Sequence, residues 1–435
     1  MNSNPNPKER GAAAARAVTD GDVEFVHGLV KRIVEEVGPG CPCSPQEAAR
    51  GRLVGEAMEL EAGAVVTEER FKCAPRAFLG WIRPGVIVAA PVLALLLLSG
   101  TAWRGTHLEL VAALLGLAAG VVFLIALLGE FVFQREMLDF AFPKGEAANV
   151  VGVLPAAGGE VKRVVIFSGH HDSALEFFWL RRTKHVYYVA VGVLIFSVFF
   201  LFAGGLTRTV EALIGAPPRW STVLNPVGLV LYPLALVFGL VFVEHPPAGT
   251  GGSVPGAVDN LSGSALAVAV GRVLRRHPEL VPPGVEVRLV SFACEEAGVR
   301  GSTRYVRAHL EELKRSGAVC VNFDSIADPE VQIFKTDCNG VVRHSPRVVE
   351  ALQRAAEAAG VPHRVARFPF GGGGSDALAF SRAGVEAACL YSMRVPSQMV
   401  EFYHQRFDTP DKLSREGTRN ALVVALASLG FLFED

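Results

Sequence analysis

Four stretches of this chain are too long and too apolar to be ordinary surface helices. Pro84–Trp103, Leu110–Gly129, Val186–Thr207 and Ser221–Val243 each run for about 20 residues or more without a charged side chain. A helix rises about 1.5 Å per residue, so about 20 residues cross the roughly 30 Å hydrocarbon core of a bilayer. A helix buried in a soluble core usually keeps a polar stripe, and these stretches have none. Aromatic rings sit at their edges, at Trp81, Trp103, Phe131, Phe133, Tyr187, Tyr188 and Trp220, where membrane-interface residues belong. The composition agrees: half of the residues are hydrophobic and a fifth are charged. Mean hydropathy is +0.34. An integral membrane protein with four spans in a lipid bilayer is expected.

The spans pair into two hairpins, turning at Arg104–Glu109 and Arg208–Arg219. Each hairpin returns the chain to the side it left, so everything else lies on one side of the bilayer. That side carries Arg70, Lys72, Arg76, Arg83, Arg135, Lys144, Arg181, Arg182 and Lys184 near the span ends, against Arg104, Arg208 and Arg219 in the turns. The positive-inside rule then puts the larger domain in the cytoplasm. Met1–Arg10 is polar and Ala12–Ala15 is too short for a signal-peptide core, so no cleavable signal is expected. Seven scattered cysteines, an odd number, fit reduced and mostly buried thiols. A net charge of -1 leaves no basic excess for a nucleic-acid partner.

Between the spans the chain alternates strand and helix patterns. Residues 1–21 are expected to be a flexible N-terminus and 22–80 the first part of a catalytic domain. The first hairpin is 84–133, the domain continues over 134–185, the second hairpin is 186–243, and 244–435 completes the domain. Strands are expected at Ala64–Phe71, Ala148–Leu154, Val161–Ser168, Val285–Ala293, Cys320–Phe323 and Ala387–Tyr391. Helices are expected at Val23–Val37, from Ser44 to about Glu61, at Leu261–Arg275, Thr303–Lys314, Pro346–Ala359 and Ser414–Phe433. The alternation predicts an α/β three-layer sandwich with a mainly parallel central sheet, plus the four membrane helices.

Five local patterns fall at strand ends or in the loops that follow them, where open α/β sheets place their sites. Ser168-Gly169-His170-His171-Asp172-Ser173 puts His170 and Asp172 two residues apart, on one side of an extended chain. Asp172 can then accept the second imidazole N–H and orient the ring for a metal. Pro255-Gly256-Ala257-Val258-Asp259 opens a small-residue helix with Asp259. Taken alone, Asp259 reads as an N-cap. Cys294-Glu295-Glu296 ends an apolar strand with two acids, costly to bury unless paired or bound to metal. Asn322-Phe323-Asp324 ends another, and Tyr403-His404-Gln405-Arg406-Phe407-Asp408 supplies a late histidine. Two histidines with several carboxylates form a mixed donor set suited to zinc, cobalt or manganese.

In this order the patterns resemble the two-zinc exopeptidase family that includes bacterial leucyl aminopeptidase, aminopeptidase Y and glutamate carboxypeptidase II. The likeness takes in about residues 22–435 apart from the hairpins. Val34-Glu35-Glu36-Val37-Gly38-Pro39, Glu69-Arg70-Phe71 and Gly374-Ser375-Asp376-Ala377 are similar to family segments as well. The resemblance implies that His170 and Asp324 ligate one zinc, Glu296 and His404 the other, and that Asp259 bridges them. It implies Glu295 as catalytic base, Asp172 as the orienting partner of His170, and Asp376 and Asp408 as supporting groups. His171 falls at the family's variable position and is not counted as a ligand. The implied reaction is removal of N-terminal residues from peptides, with one zinc polarising the scissile carbonyl and the other holding the free amine. The alternatives are a silent scaffold or receptor on the same fold, a carboxypeptidase-type enzyme, or a one-zinc cyclase with part of the ligand set. All five ligands and the base are present here. Two features depart from the familiar members: the inserted hairpins and the glycine run Gly371–Gly374 beside the expected substrate pocket.

Overall fold

A computed structural model describes residues 7–244, 254–369, 371 and 373–433. The chain forms two compact units. One comprises Met1–Pro75, Lys144–Glu176 and His245–Asp435, and the other Arg76–Pro143 and Phe177–Glu244.

The first unit is built on an eight-stranded sheet. Its strands are β1 (Val65–Cys73), β2 (Gly145–Leu154), β3 (Arg163–His170), β4 (Val285–Phe292), β5 (Val319–Asp324), β6 (Val331–Phe334), β7 (His363–Ala366) and β8 (Glu386–Tyr391). Their spatial order is β1-β2-β4-β3-β5-β8-β6-β7. The sheet is mixed. Pairings β4–β3, β3–β5, β5–β8 and β6–β7 are parallel, whereas β1–β2, β2–β4 and β8–β6 are antiparallel. The parallel centre has the composition such strands require when both faces are covered: Val164, Val165, Ile166 and Phe167 of β3 are all buried. Strands β6 and β7 had no counterpart in the sequence expectations, because four residues are too few to display a period.

The helices of this unit include α1 (Pro7–Ala17), α2 (Asp20–Glu36) and α3 (Pro45–Ala57). The expected flexible N-terminus is therefore corrected: residues 7–17 form a helix with Ala14 and Ala17 buried, while residues 1–6 lie outside the described residues. Its run of alanines supplies the small side chains that let a helix pack closely. Helix α3 starts at Ser44, whose hydroxyl accepts the Glu47 N–H, with Pro45 at the first helical position.

The second unit contains α4 (Ile82–Gly100), α5 (His107–Ile125), α6 (Phe178–Leu213) and α7 (Ser221–Leu240). All four are long and apolar enough to cross a membrane, α4 and α5 together with the turns that extend them. Helix α6 starts before the expected Val186 and bends at Thr183, whose φ/ψ is non-helical. It also runs to Leu213, well into the expected Arg208–Arg219 turn. That extension is stabilised by charge. Arg208 is fully buried, pairs with Glu109 and donates to the Ser99 carbonyl at 2.7 Å. Glu211 accepts the N–H groups of Arg219 and Trp220 at 2.8 Å each, covering the start of α7. The unit is apolar outside, and glycines lie among the buried positions between its helices. Val111, Leu115, Val122, Phe196 and Val230 are exposed, whereas Gly116, Gly120, Gly204 and Gly205 are buried. Helices that associate in lipid have this distribution.

Helix α8 (Ser262–Arg276) returns the chain to the first unit and is followed by α9 (Arg300–Arg315), α10 (Pro346–Ala359), α11 (Ala377–Arg382) and α12 (Arg415–Leu432). Helix α8 is buried along nearly its whole length. Its N-terminus lies against the end of β3: a Cβ on Gly169 would come within 2.4 Å of the Gly263 backbone. Any side chain at Gly169 would push the helix, and the loop carrying Asp259, away from His170.

Candidate metal centre

Three neighbouring parallel strands, β4, β3 and β5, end at the same edge of the sheet. His170 closes β3, Glu295 and Glu296 follow β4, and Asp324 closes β5. Strand β3 sits between two strands that come later in the chain. This is the switch point at which an open α/β sheet leaves a crevice.

Side chains from distant parts of the chain meet there. His170 Nε2 lies 3.4 Å from Asp259 Oδ1 and 3.6 Å from Glu295 Oε2. His404 Nε2 lies 3.2 Å from Asp259 Oδ2 and 3.2 Å from Glu296 Oε1. Asp259 therefore turns one carboxylate oxygen toward each histidine. Asp324 is buried, holds the Ser325 hydroxyl at 2.8 Å, and lines a small cavity with Asp259, Glu295, Phe368, Tyr391, Tyr403 and His404. Gly374, from the glycine run, also borders that cavity, and Gly372 lies outside the described residues.

The backbone is held to aim these groups. Asp172 Oδ1 accepts the Glu295 N–H at 3.1 Å and Oδ2 accepts the Glu296 N–H at 2.9 Å. The same Oδ1 is 3.3 Å from His170 Nδ1. One buried carboxylate thus fixes both acids after β4 and faces the far side of the His170 ring. Asp408 does the same for the third segment, accepting the Val258 N–H at 2.7 Å and the Asp259 N–H at 3.1 Å. Cys294, Ser325 and His404, beside or within the site, have φ values of +56°, +51° and +49°, a region that non-glycine residues rarely occupy. His171 points elsewhere. Its Nδ1 lies 2.8 Å from Ser291 Oγ, and burial pushes its pKa down to about 4. Successive residues of an extended strand face opposite sides, so His170 and His171 cannot share one site. Asp376 is buried at the start of α11, and burial pushes its pKa up to about 7.

The cluster crowds several buried acids around two histidines. Burial pushes the Glu295 carboxyl well above its usual range, and Glu296, Asp376 and Asp324 add to the rise while His170 opposes it. Burial and the Asp259 charge raise Asp324 likewise. Burial alone would keep His170 neutral, but Asp172, Asp259 and Glu295 outweigh it and hold the imidazole well above the histidine range. Within the cluster, His170 Nε2 and Glu296 Oε1 are buried without an aligned hydrogen-bond partner. His170, Asp259 and Glu296 each offer a ligand atom within 4.8 Å of the others. Ligand atoms converging in this way fit a divalent metal, whose charge would restore the carboxylates to their ionised form.

The chain is similar to several known proteins. Residues 243–429 match the model of Peptidase family M28. Aminopeptidase YwaD of Bacillus subtilis is 33% identical over 170 residues, 38% of this chain, and the chain spans only 35% of that relative's length. A zinc aminopeptidase from Bacillus subtilis superposes with a TM-score of 0.52 at 16% identity, covering 95% of this chain and 98% of its own. The fold is that of the zinc aminopeptidases. A Porphyromonas gingivalis glutaminyl cyclase shares it, with a TM-score of 0.52, 11% identity and coverage of 94% and 97%. The M28-like segment contains Asp259, Glu295, Glu296, Asp324 and His404, while His170 and Asp172 precede it.

Two contributors to this cluster are not legible in the sequence. The backbone-bonding role of Asp408 shows only in three dimensions. Arg50, fully buried, donates to the carbonyls of Gly38 and His171 at 2.8 and 3.3 Å, and to that of Pro255. It joins three segments behind the site, and no local pattern around residue 50 marks it.

Proposed function

We propose that this chain is a membrane-anchored metallo-aminopeptidase that removes N-terminal residues from peptides with a two-zinc centre. The observation that carries the reading is the Asp259 carboxylate, one oxygen toward His170 and the other toward His404. Around it His170 and Asp324 would hold one ion, Glu296 and His404 the second, and Asp259 both. Cobalt or manganese could occupy the same donors. When bound, such a pair supplies Lewis acidity, activating water near neutral pH and polarising the scissile carbonyl. Glu295, beside the ligands but assigned to neither ion, takes the proton of the attacking water and delivers it to the leaving amine. Asp172 keeps His170 turned and holds Glu295 and Glu296 in place through their backbone N–H groups. Tyr391, Tyr403 and Phe368 form walls for the peptide.

The apolar exterior of α4–α7 supports anchoring in a lipid bilayer, and the cation asymmetry of the loops supports a cytoplasmic catalytic unit. A cyclase reading rests on fold alone, and the complete set of five ligands and a base favours hydrolysis. The test is Glu295→Gln. It should retain both metals and lose roughly 10²–10⁴ in kcat, the scale of a general-base contribution. Turnover at the wild-type level with metals bound would remove Glu295 from the mechanism.

A further inference from the structure

Outside the carboxylate centre, three cysteines from distant parts of the chain converge. Cys43 Sγ lies 3.6 Å from Cys73 Sγ and 3.6 Å from Cys294 Sγ. All three sulfurs lie within 4.8 Å of one another. They come from the loop before α3, the last residue of β1 and the exit of β4, and none is in a disulfide.

We propose that Cys43, Cys73 and Cys294 form a structural zinc site, separate from the carboxylate centre. In a tetrahedral site with Zn–S bonds of about 2.3 Å, neighbouring sulfurs lie about 3.8 Å apart. The two 3.6 Å separations are close to that spacing. Three thiolates also select zinc over hard cations such as magnesium or calcium.

The surroundings are built to hold the cluster. Cys43 and Cys294 both have left-handed backbone, with φ of +61° and +56°. Such positions are costly for non-glycine residues and persist only where the surroundings enforce them. Glu47, itself buried, does part of this. Its Oε2 accepts the Cys43 N–H at 2.7 Å and its Oε1 accepts the Cys294 N–H at 2.8 Å. Glu47 Oε1 also accepts the Cys294 thiol at 3.3 Å, which offers it as a fourth ligand once the thiol is deprotonated. Gly145, the partner of Cys73 across the β1–β2 ladder, leaves the space: a Cβ there would lie 2.5 Å from Cys43 Cβ and 2.9 Å from its sulfur. Cys73 and Cys294 are buried, whereas Cys43 is partly exposed and gives a metal its way in.

The site has a structural consequence. Cys294 directly precedes Glu295 and Glu296, so a metal here ties the β4 exit to the N-terminal loop and the end of β1. Metal binding to ligands that the unfolded chain does not preorganise adds directly to folding stability. The assignment does not depend on the peptidase reading.

The test uses the full chain in detergent, stripped of metal and titrated with cobalt(II). Wild type and Asp259→Ala should both develop thiolate-to-cobalt charge-transfer absorption in the near ultraviolet. Cys43→Ser and Cys73→Ser should lose it. Elemental analysis of protein purified with zinc should show the serine variants lower by about one equivalent than wild type. No charge-transfer band in folded wild type would overturn the site. So would a band that survives in Cys73→Ser, or native protein in which Cys43 is disulfide-bonded to Cys73 or Cys294. If the serine variants fail to fold, the spectra of wild type and Asp259→Ala decide.

Discussion

Replacing Asp172 by asparagine changes almost no volume and separates its duties. The aspartate accepts two backbone N–H groups, one on each oxygen, and faces His170 Nδ1 at 3.3 Å. Asparagine offers one acceptor oxygen and one amide nitrogen. Whichever way the amide turns, the N–H of Glu295 or of Glu296 meets another donor. A buried N–H left without a partner costs about 1–3 kcal/mol. In a domain of this size that amounts to a fall in Tm of about 2–4 °C for each kcal/mol. The His170 ring also loses its charged partner, and removing such an orienting group weakens metal binding by about 10–100-fold. Competition of the purified protein against a chelator of known affinity measures the second effect, and thermal melting of the metal-free protein measures the first. At saturating metal, kcat should recover in part, because Glu295 remains. An Asp172→Asn protein with unchanged metal affinity and unchanged Tm would refute the reasoning, since both effects follow from the same two oxygens.

His170→Ala should lose about one equivalent of metal and His171→Ala none, because His171 is turned to Ser291; equal losses by mass spectrometry would undo the assignment. Peptides with an acetylated N-terminus should be cut far more slowly than their free-amine twins, and equal rates would exclude an aminopeptidase. His309, bonded to Glu69 at 2.8 Å and near Glu312, has its pKa raised first by that Glu69 bond. A raised folded-state pKa stabilises fully below the unfolded value of about 6.5 and fades as pH rises through the folded one. The Tm gap between wild type and His309→Gln should therefore be widest in mild acid and narrow toward alkaline pH; a gap that widens with pH would contradict it. A cysteine placed in the turn between α6 and α7 should react with an impermeant thiol reagent in intact cells, while one on the catalytic surface should not. The reverse pattern would put the catalytic unit outside.

The residues that converge on the site were legible because strand ends carry chemistry in α/β sheets. His170, Glu295, Glu296 and Asp324 each close or follow an apolar run, and that contrast is visible in one dimension. The four long helices were legible for the same reason. Their limits were less so, because Arg208 and Glu211 read as loop residues until each is seen with its partner. Asp408 and Arg50 act on backbone atoms of distant segments, and backbone partners leave no mark in a sequence. The cysteines failed differently. A search for close pairs finds Cys41 and Cys43, but the sulfurs that meet are 43, 73 and 294. Their proximity depends on β2 lying between β1 and β4, an order that no local pattern encodes.

The position of β3 has a consequence for biosynthesis. The strand is finished at His170, yet both of its neighbours, β4 and β5, lie beyond residue 284. About 115 residues must be made before the first of them even begins, and the second pair of long helices lies within that interval. At roughly 5–20 residues per second the ribosome needs several seconds or more to supply them. Throughout that time an apolar strand with two open edges waits in solution, a state prone to wrong pairing. The chain should therefore depend on chaperone protection during translation, and fragments that stop before residue 285 should aggregate. A nascent chain paused there would have His170, Asp172 and Asp259 but not Glu295, Glu296, Asp324 or His404.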